Sequence, residues 1–194
     1  LPQFAGDDVI GAVLLLEGMQ AIDGRLGRVD SLFAAGYRIF GIAHMFDNEV
    51  GGSAHGWHKG GLTDLGRAAV ARVDSLGGII DLAHASLATI DEVLALTSRP
   101  VLVSHTGITS ACPGARNLSD DAVARIASRG GLVAIGFWDA AVCGKDARAI
   151  ARSIRRAIEV AGVEHVALGS DFDGAVAVPF DAAHLALLTA ALLD

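Results

Sequence analysis

Charge is scarce in this chain of 194 residues: Asp, Glu, Lys and Arg together make up 19%, and the balance is acidic, at a net −7. Phosphate recognition needs a basic face, so nucleic acid is excluded as the main partner. Small anionic substrates stay open, because one buried Arg can hold a carboxylate. Cysteine is rare too: Cys112 and Cys143 are the only two, and their spacing fits no metal-binding motif. They read as two buried or idle thiols of a cytoplasmic protein, whereas an exported protein would pair them as a disulfide. No apolar run reaches the roughly 18 residues of a membrane helix, and no basic-then-apolar leader opens the chain. It starts at Leu1 without Met and stops at Asp194 inside the apolar run 184–193, so both ends read as cut. Repeats and low-complexity tracts are missing, and residues 1–194 read as one domain without a linker.

Apolar residues, by contrast, make up 52%, and there are 24 Gly. That balance describes a compact core with many tight turns, not a disordered or fibrous chain. The length is ample for one core and short of the roughly 250 residues of a complete eightfold barrel.

Apolar runs of strand length alternate with stretches of helical period. Strands are expected at 12–17, 38–44, 78–84, 100–105, 132–137 and 165–171. Helices are expected near 28–35, from Thr63 to Leu76, from Ser86 to about Thr97, over Asp120–Ser128 behind Ser119, and near 146–161. Thr63, Ser86 and Ser119 stand where N-terminal caps belong. Continuous apolar strands, each followed by a helix, indicate a parallel sheet covered on its outer face. Six such units in series suit a (β/α)8 TIM-type barrel, incomplete at the N-terminus and at the C-terminus, better than a doubly wound sheet.

The informative polar residues fall at strand ends: Glu17, His44, His84, His105 and Asp171. In a parallel barrel those ends open onto one face, which holds the active site. Any one of these histidines alone reads as a hydrogen-bonded core or rim residue; five such residues together read as convergent. Imidazole and carboxylate suit Zn²⁺ and similar ions, and a carboxylate with two oxygens, such as Glu17, can bridge two of them. Arg116 follows His105, where a guanidinium can pair with a carboxylate. Asp171 and Asp173 offer one turn cap and one general base. His55, His58, His165 and His184 read as structural or solvated, and Trp57 and Trp138 as core by default.

Seven blocks in order, among them Leu16-Glu17-Gly18, Ile42-Ala43-His44, Gly61-Leu62-Thr63-Asp64, Asp81-Leu82-Ala83-His84, Val103-Ser104-His105, Arg116-Asn117-Leu118-Ser119 and Asp171-Phe172-Asp173-Gly174, resemble the membrane (renal) dipeptidase family. The resemblance implies a two-zinc barrel that hydrolyses dipeptides with a metal-bridging hydroxide and tolerates a C-terminal D-residue. It implies Glu17, His84 and His105 as metal ligands, with one ion fully liganded by this chain. It implies His44 over the substrate carbonyl, Arg116 on the substrate carboxylate, and Asp171 as the proton carrier. Family members begin with a strand ending in His-x-Asp, which this chain lacks. An open barrel of this kind leaves two unpaired strand edges that invite a partner, a homodimer included. Another two-metal barrel hydrolase of amides or esters is the rival enzyme reading, and an inactive truncated form is the reading outside enzymes.

Overall fold

The computed structural model describes residues 10–194; Leu1, at the front edge that reads as cut, lies outside them. Six parallel strands form a half-barrel in the order of the sequence. They are β1 (Leu14–Leu16), β2 (Tyr37–Gly41), β3 (Ile79–Asp81), β4 (Leu102–Thr106), β5 (Leu132–Gly136) and β6 (Val166–Gly169). The helices between them are α1 (Gly27–Ala34), α2 (Asp64–Leu76), α3 (Leu87–Leu96), α4 (Asp120–Ser128), the short α5 (Asp139–Val142) and α6 (Ala147–Ala161), with α7 (Ala186–Leu193) after β6. This is the α/β architecture expected, with strands shorter than the apolar runs that encode them.

Local chemistry sets the helix starts. Thr63, Ser86 and Ser119 each accept a backbone N–H three residues on, at 3.0, 3.1 and 3.2 Å. Asp146 does the same for Ala149 at 2.8 Å. Each bond satisfies one of the donors that a helix N-terminus leaves free. Gly77 closes α2 at φ 78°, a left-handed turn that costs glycine little.

Adjacent residues of a strand face opposite sides of the sheet, and the two sides differ here. Phe40, Ile80, Val103 and Val133 are buried under the helices. Their neighbours Ile39, Ile79, Leu102 and Leu132 line an apolar cavity of about 830 Å³ on the concave side, at the N-terminal ends of the strands. Among the described residues, β1 and β6 each have one hydrogen-bonded neighbour, so the six strands form an open sheet. Leu14 and Leu168 are accordingly 52% exposed each. Burying a side chain such as Phe40 completely contributes about 1.5–3 kcal/mol, so the helix-covered side carries most of the core. Among the described residues, no helix is long and apolar enough to cross a membrane.

Candidate metal centre

The C-terminal ends of the strands share one rim, and the five strand-end residues meet there. Glu17 directly follows β1, and His105 lies inside β4. His44, His84 and Asp171 are held instead in the turns just past β2, β3 and β6, a shift from the strand positions read in the sequence. His84 and Asp171 occupy the left-handed region, at φ 62° and 59°. Such a backbone is strained for a residue with a side chain and persists only where its surroundings fix it. Around His84 they do: its carbonyl accepts Ala54 N–H at 2.7 Å, and Ala85 N–H bonds back to Leu82 at 3.1 Å.

Three donor atoms converge. Nε2 of His84 and Nε2 of His105 lie 2.9 Å apart, and Glu17 Oε1 is 3.2 Å from the first and 3.5 Å from the second. Ligands at about 2.0–2.1 Å from one tetrahedral zinc lie about 3.3 Å from each other. The triangle fits that ion. Glu17 Oε2 turns the other way, 3.8 Å from His44 Nε2. Glu17, His44 and His84 also form a group whose donor atoms all lie within 4.8 Å of one another. We take the set with His105 as the tighter one, because its three sides are all close to the ligand spacing of one ion.

The electrostatics suit the same use. The hydrogen bond from His84, with the nearby His44 and His105, brings the Glu17 carboxyl down to about 2 against the opposing cost of burial. Burial pushes His84 and His105 down to about 4, helped by the positive Arg116 and opposed by Glu17. At neutral pH the centre is therefore one carboxylate facing two neutral imidazoles. His84, whose Nδ1 accepts from Arg116, carries its hydrogen on Nε2 and must move it before that nitrogen can bind a metal.

Arg116 is fixed behind the histidines. Its Nε donates to His84 Nδ1 at 3.3 Å, Nη1 to Thr106 Oγ1 at 3.4 Å and Nη2 to the His105 carbonyl at 2.9 Å. A guanidinium has five N–H groups, so one remains on each terminal nitrogen for a bidentate partner. Burial lowers Arg116 to about 10, against the pull of Asp81, Asp171 and Glu17, and it stays charged. Asp171 lines a cavity of about 280 Å³ with Glu17, His105 and Ser104. Its carboxyl is raised by burial first, then by Asp173 and Glu17. Asp173 is the turn residue of the pair, accepting Ala175 N–H at 2.8 Å.

Two readings need correction. The cysteines are not idle thiols: Cys112 and Cys143 form a disulfide, joining the loop that carries Arg116 to the end of α5. The sequence hid this because α5 is a single turn, too short to show a period. His55, read as structural or solvated, is exposed, and its ring centroid is 5.5 Å from that of His84. Ser53 Oγ bonds the His44 carbonyl and Ala54 N–H bonds the His84 carbonyl, which carries His55 to the rim. No local pattern announces those bonds. Trp138 packs its ring 5.8 Å from His105, whereas Trp57 is 93% exposed and not core. His58 and His184 are exposed, and half-buried His165 places Nδ1 2.9 Å from the Gly131 carbonyl.

A parallel βα half-barrel with imidazole and carboxylate donors converging at its strand C-termini belongs to the class of metal-dependent barrel hydrolases. The comparisons narrow the class. The family model for membrane dipeptidase, peptidase family M19, matches residues 2–194, and the chain belongs to that family. It is 33% identical over 181 residues to an uncharacterized dipeptidase of Schizosaccharomyces pombe, covering 88% of this chain and 43% of that protein. It is 34% identical over 172 residues to the dipeptidase aclJ of Aspergillus oryzae, covering 85% and 41%. The chain thus spans less than half the length of these two relatives. Among solved structures it resembles the dipeptidase AC, a metallopeptidase, with TM-score 0.87, 27% identity and coverage of 96% and 58%. It also resembles a metallopeptidase of Rhodobacter sphaeroides liganded with a phosphinate mimic of L-Ala-D-Ala, with TM-score 0.82, 28% identity and coverage of 93% and 56%.

Proposed function

We propose that this chain carries the catalytic face of a zinc-dependent dipeptidase. The single observation that carries the reading is the triangle of Glu17 Oε1, His84 Nε2 and His105 Nε2, with sides of 2.9, 3.2 and 3.5 Å, backed by Arg116. Those three residues would hold a zinc ion, with His44 beside Glu17 at 3.8 Å. Zinc, when bound, supplies a Lewis acid that polarises a carbonyl and acidifies water.

The chain's own residues do the rest. The two unused N–H groups of Arg116 grip the substrate's C-terminal carboxylate, which sets both position and length. His44 lies beside Glu17 and donates to the oxygen on which negative charge develops. Asp171, whose raised carboxyl eases proton uptake, takes the proton from the attacking water and hands it to the leaving amine. A dipeptide with a C-terminal D-residue is the substrate class to try first, since the Rhodobacter relative holds a mimic of one. The disulfide supports an exported protein over a cytoplasmic one.

The test is hydrolysis of L-Ala-D-Ala and of its C-terminal amide by the zinc-loaded protein that carries this chain, as wild type and as Arg116→Ala. Losing a buried charged partner costs about 2–5 kcal/mol, so kcat/KM on the free acid is expected to fall by about 30- to 5,000-fold, with the amide poorly cleaved by both. Equal turnover of acid and amide, unaffected by the substitution, would favour a hydrolase of other amides or esters.

A further inference from the structure

Asp81, the last residue of β3, has no part in the chemistry above, yet it is 1% exposed. A buried carboxylate is costly unless its oxygens are satisfied. Both are. Oδ1 accepts the backbone N–H of Ala83 at 3.0 Å and of Ser104 at 2.9 Å, and Oδ2 accepts the Ser104 hydroxyl at 2.6 Å. Ser104 Oγ also lies 3.0 Å from His105 Nδ1. The far nitrogen of that ring, Nε2, is the one in the metal triangle.

The hydroxyl has one proton to give. Burial raises the Asp81 carboxyl, but the three donors on its oxygens, two of them backbone N–H groups, favour the ionised form. An ionised carboxylate can only accept, so the proton goes to Asp81, at the shorter of the two distances. Ser104 is then left to accept, and His105 Nδ1 must carry a hydrogen to donate to it. That choice leaves Nε2 with a bare lone pair facing Glu17 and His84. We propose that Asp81 and Ser104 are positioning residues that lock His105 into its Nδ1–H tautomer and so present Nε2 to a metal ion. The inference rests on His105 being a metal ligand, as in the proposed function. The competing explanation is structural: Asp81 also ties β3 to β4, whose ladder has a single residue pair, Asp81 with Leu102.

Asp81→Asn separates the two. The amide keeps the size and can still accept the backbone N–H groups. Its NH₂, however, donates to Ser104, whose hydroxyl then donates to His105 Nδ1 and moves the ring hydrogen to Nε2. The comparable substitution in a serine-protease triad acts through the wrong tautomer. The readouts are the ring ¹⁵N shifts of His105 without added metal, and zinc affinity by competition with a chromophoric chelator. Wild type is expected to show Nδ1–H, and Asp81→Asn Nε2–H with zinc binding weaker by about 10- to 100-fold. Ser104→Ala should weaken zinc by a similar factor, while Ser104→Thr, which keeps the hydroxyl, should stay within about threefold of wild type.

Wild-type His105 carrying its hydrogen on Nε2 overturns the proposal, and so does an Asp81→Asn chain with wild-type tautomer and affinity. If Asp81→Asn does not fold, the Ser104 pair and the wild-type spectrum decide: Ala and Thr variants with equal affinity overturn it. A wild type that binds no zinc at all refutes the proposed function instead, and the metal-free spectrum still judges the tautomer.

Discussion

Acid should destabilise this chain through its two buried imidazoles, in a pH window set by their surroundings. In the unfolded chain a histidine takes up its proton near pH 6.5, whereas His84 and His105 resist protonation in the fold down to about 4. Between those values the unfolded state binds more protons, so stability falls as pH falls. Each histidine contributes about 1.4 kcal/mol per pH unit, or roughly 3 kcal/mol across the whole window. Both side chains are only 9% exposed, so solvent screening takes little of this away. Their facing nitrogens, 2.9 Å apart, make a second proton harder to add than the first. Glu17 acts lower, its stabilisation present above its unfolded value of 4.5 and lost as pH falls towards 2. Asp81 and Asp171 have raised carboxyls and work in the opposite direction, taking up protons sooner in the fold. A difference measurement removes them. Urea unfolding in chelator-treated buffer from pH 7.5 to 4.5 should give wild type a slope steeper than that of His105→Gln by about 1.4 kcal/mol per unit below pH 6.5. Parallel curves for the two proteins would refute the burial argument.

Two further outcomes follow from the same geometry. The Cys112–Cys143 bond closes a segment with a sequence separation of 31, for which the chain-entropy relation gives about 3.7 kcal/mol. Reduction, or Cys112→Ser with Cys143→Ser, should lower the unfolding free energy by about 3–4 kcal/mol, read by urea titration; a change below about 0.5 kcal/mol would show that the bond restrains nothing. Asp171→Asn keeps the left-handed turn but cannot carry a proton, so kcat for a dipeptide should fall by about 10²- to 10⁴-fold with KM little changed. Steady-state kinetics checks this, and an unchanged kcat would assign the proton to another group.

Helix starts were legible residue by residue, because a capping side chain acts within one turn of its own position. Thr63, Ser86 and Ser119 cap α2, α3 and α4 as their sequence context implies. The convergence of Glu17, His44, His84, His105 and Asp171 was legible for a topological reason: parallel strands put all their C-terminal ends on one side. What escaped depends on contacts across the fold. Ser53 and Ala54 bond the His44 and His84 carbonyls, which brings His55 beside His84. The disulfide depends on where one helical turn returns the chain. Leu14 and Leu168 lie in apolar runs read as strands, and their places on the two edge strands leave them half in water.

The central claim is that Glu17, His84 and His105 together hold a metal ion. Anomalous diffraction at the zinc absorption edge, from crystals grown with zinc, tests it directly. The expected result is a peak about 2.0–2.1 Å from His84 Nε2, His105 Nε2 and Glu17 Oε1. A chain that binds zinc only elsewhere, or shows no peak among those three atoms at saturating zinc, would contradict it.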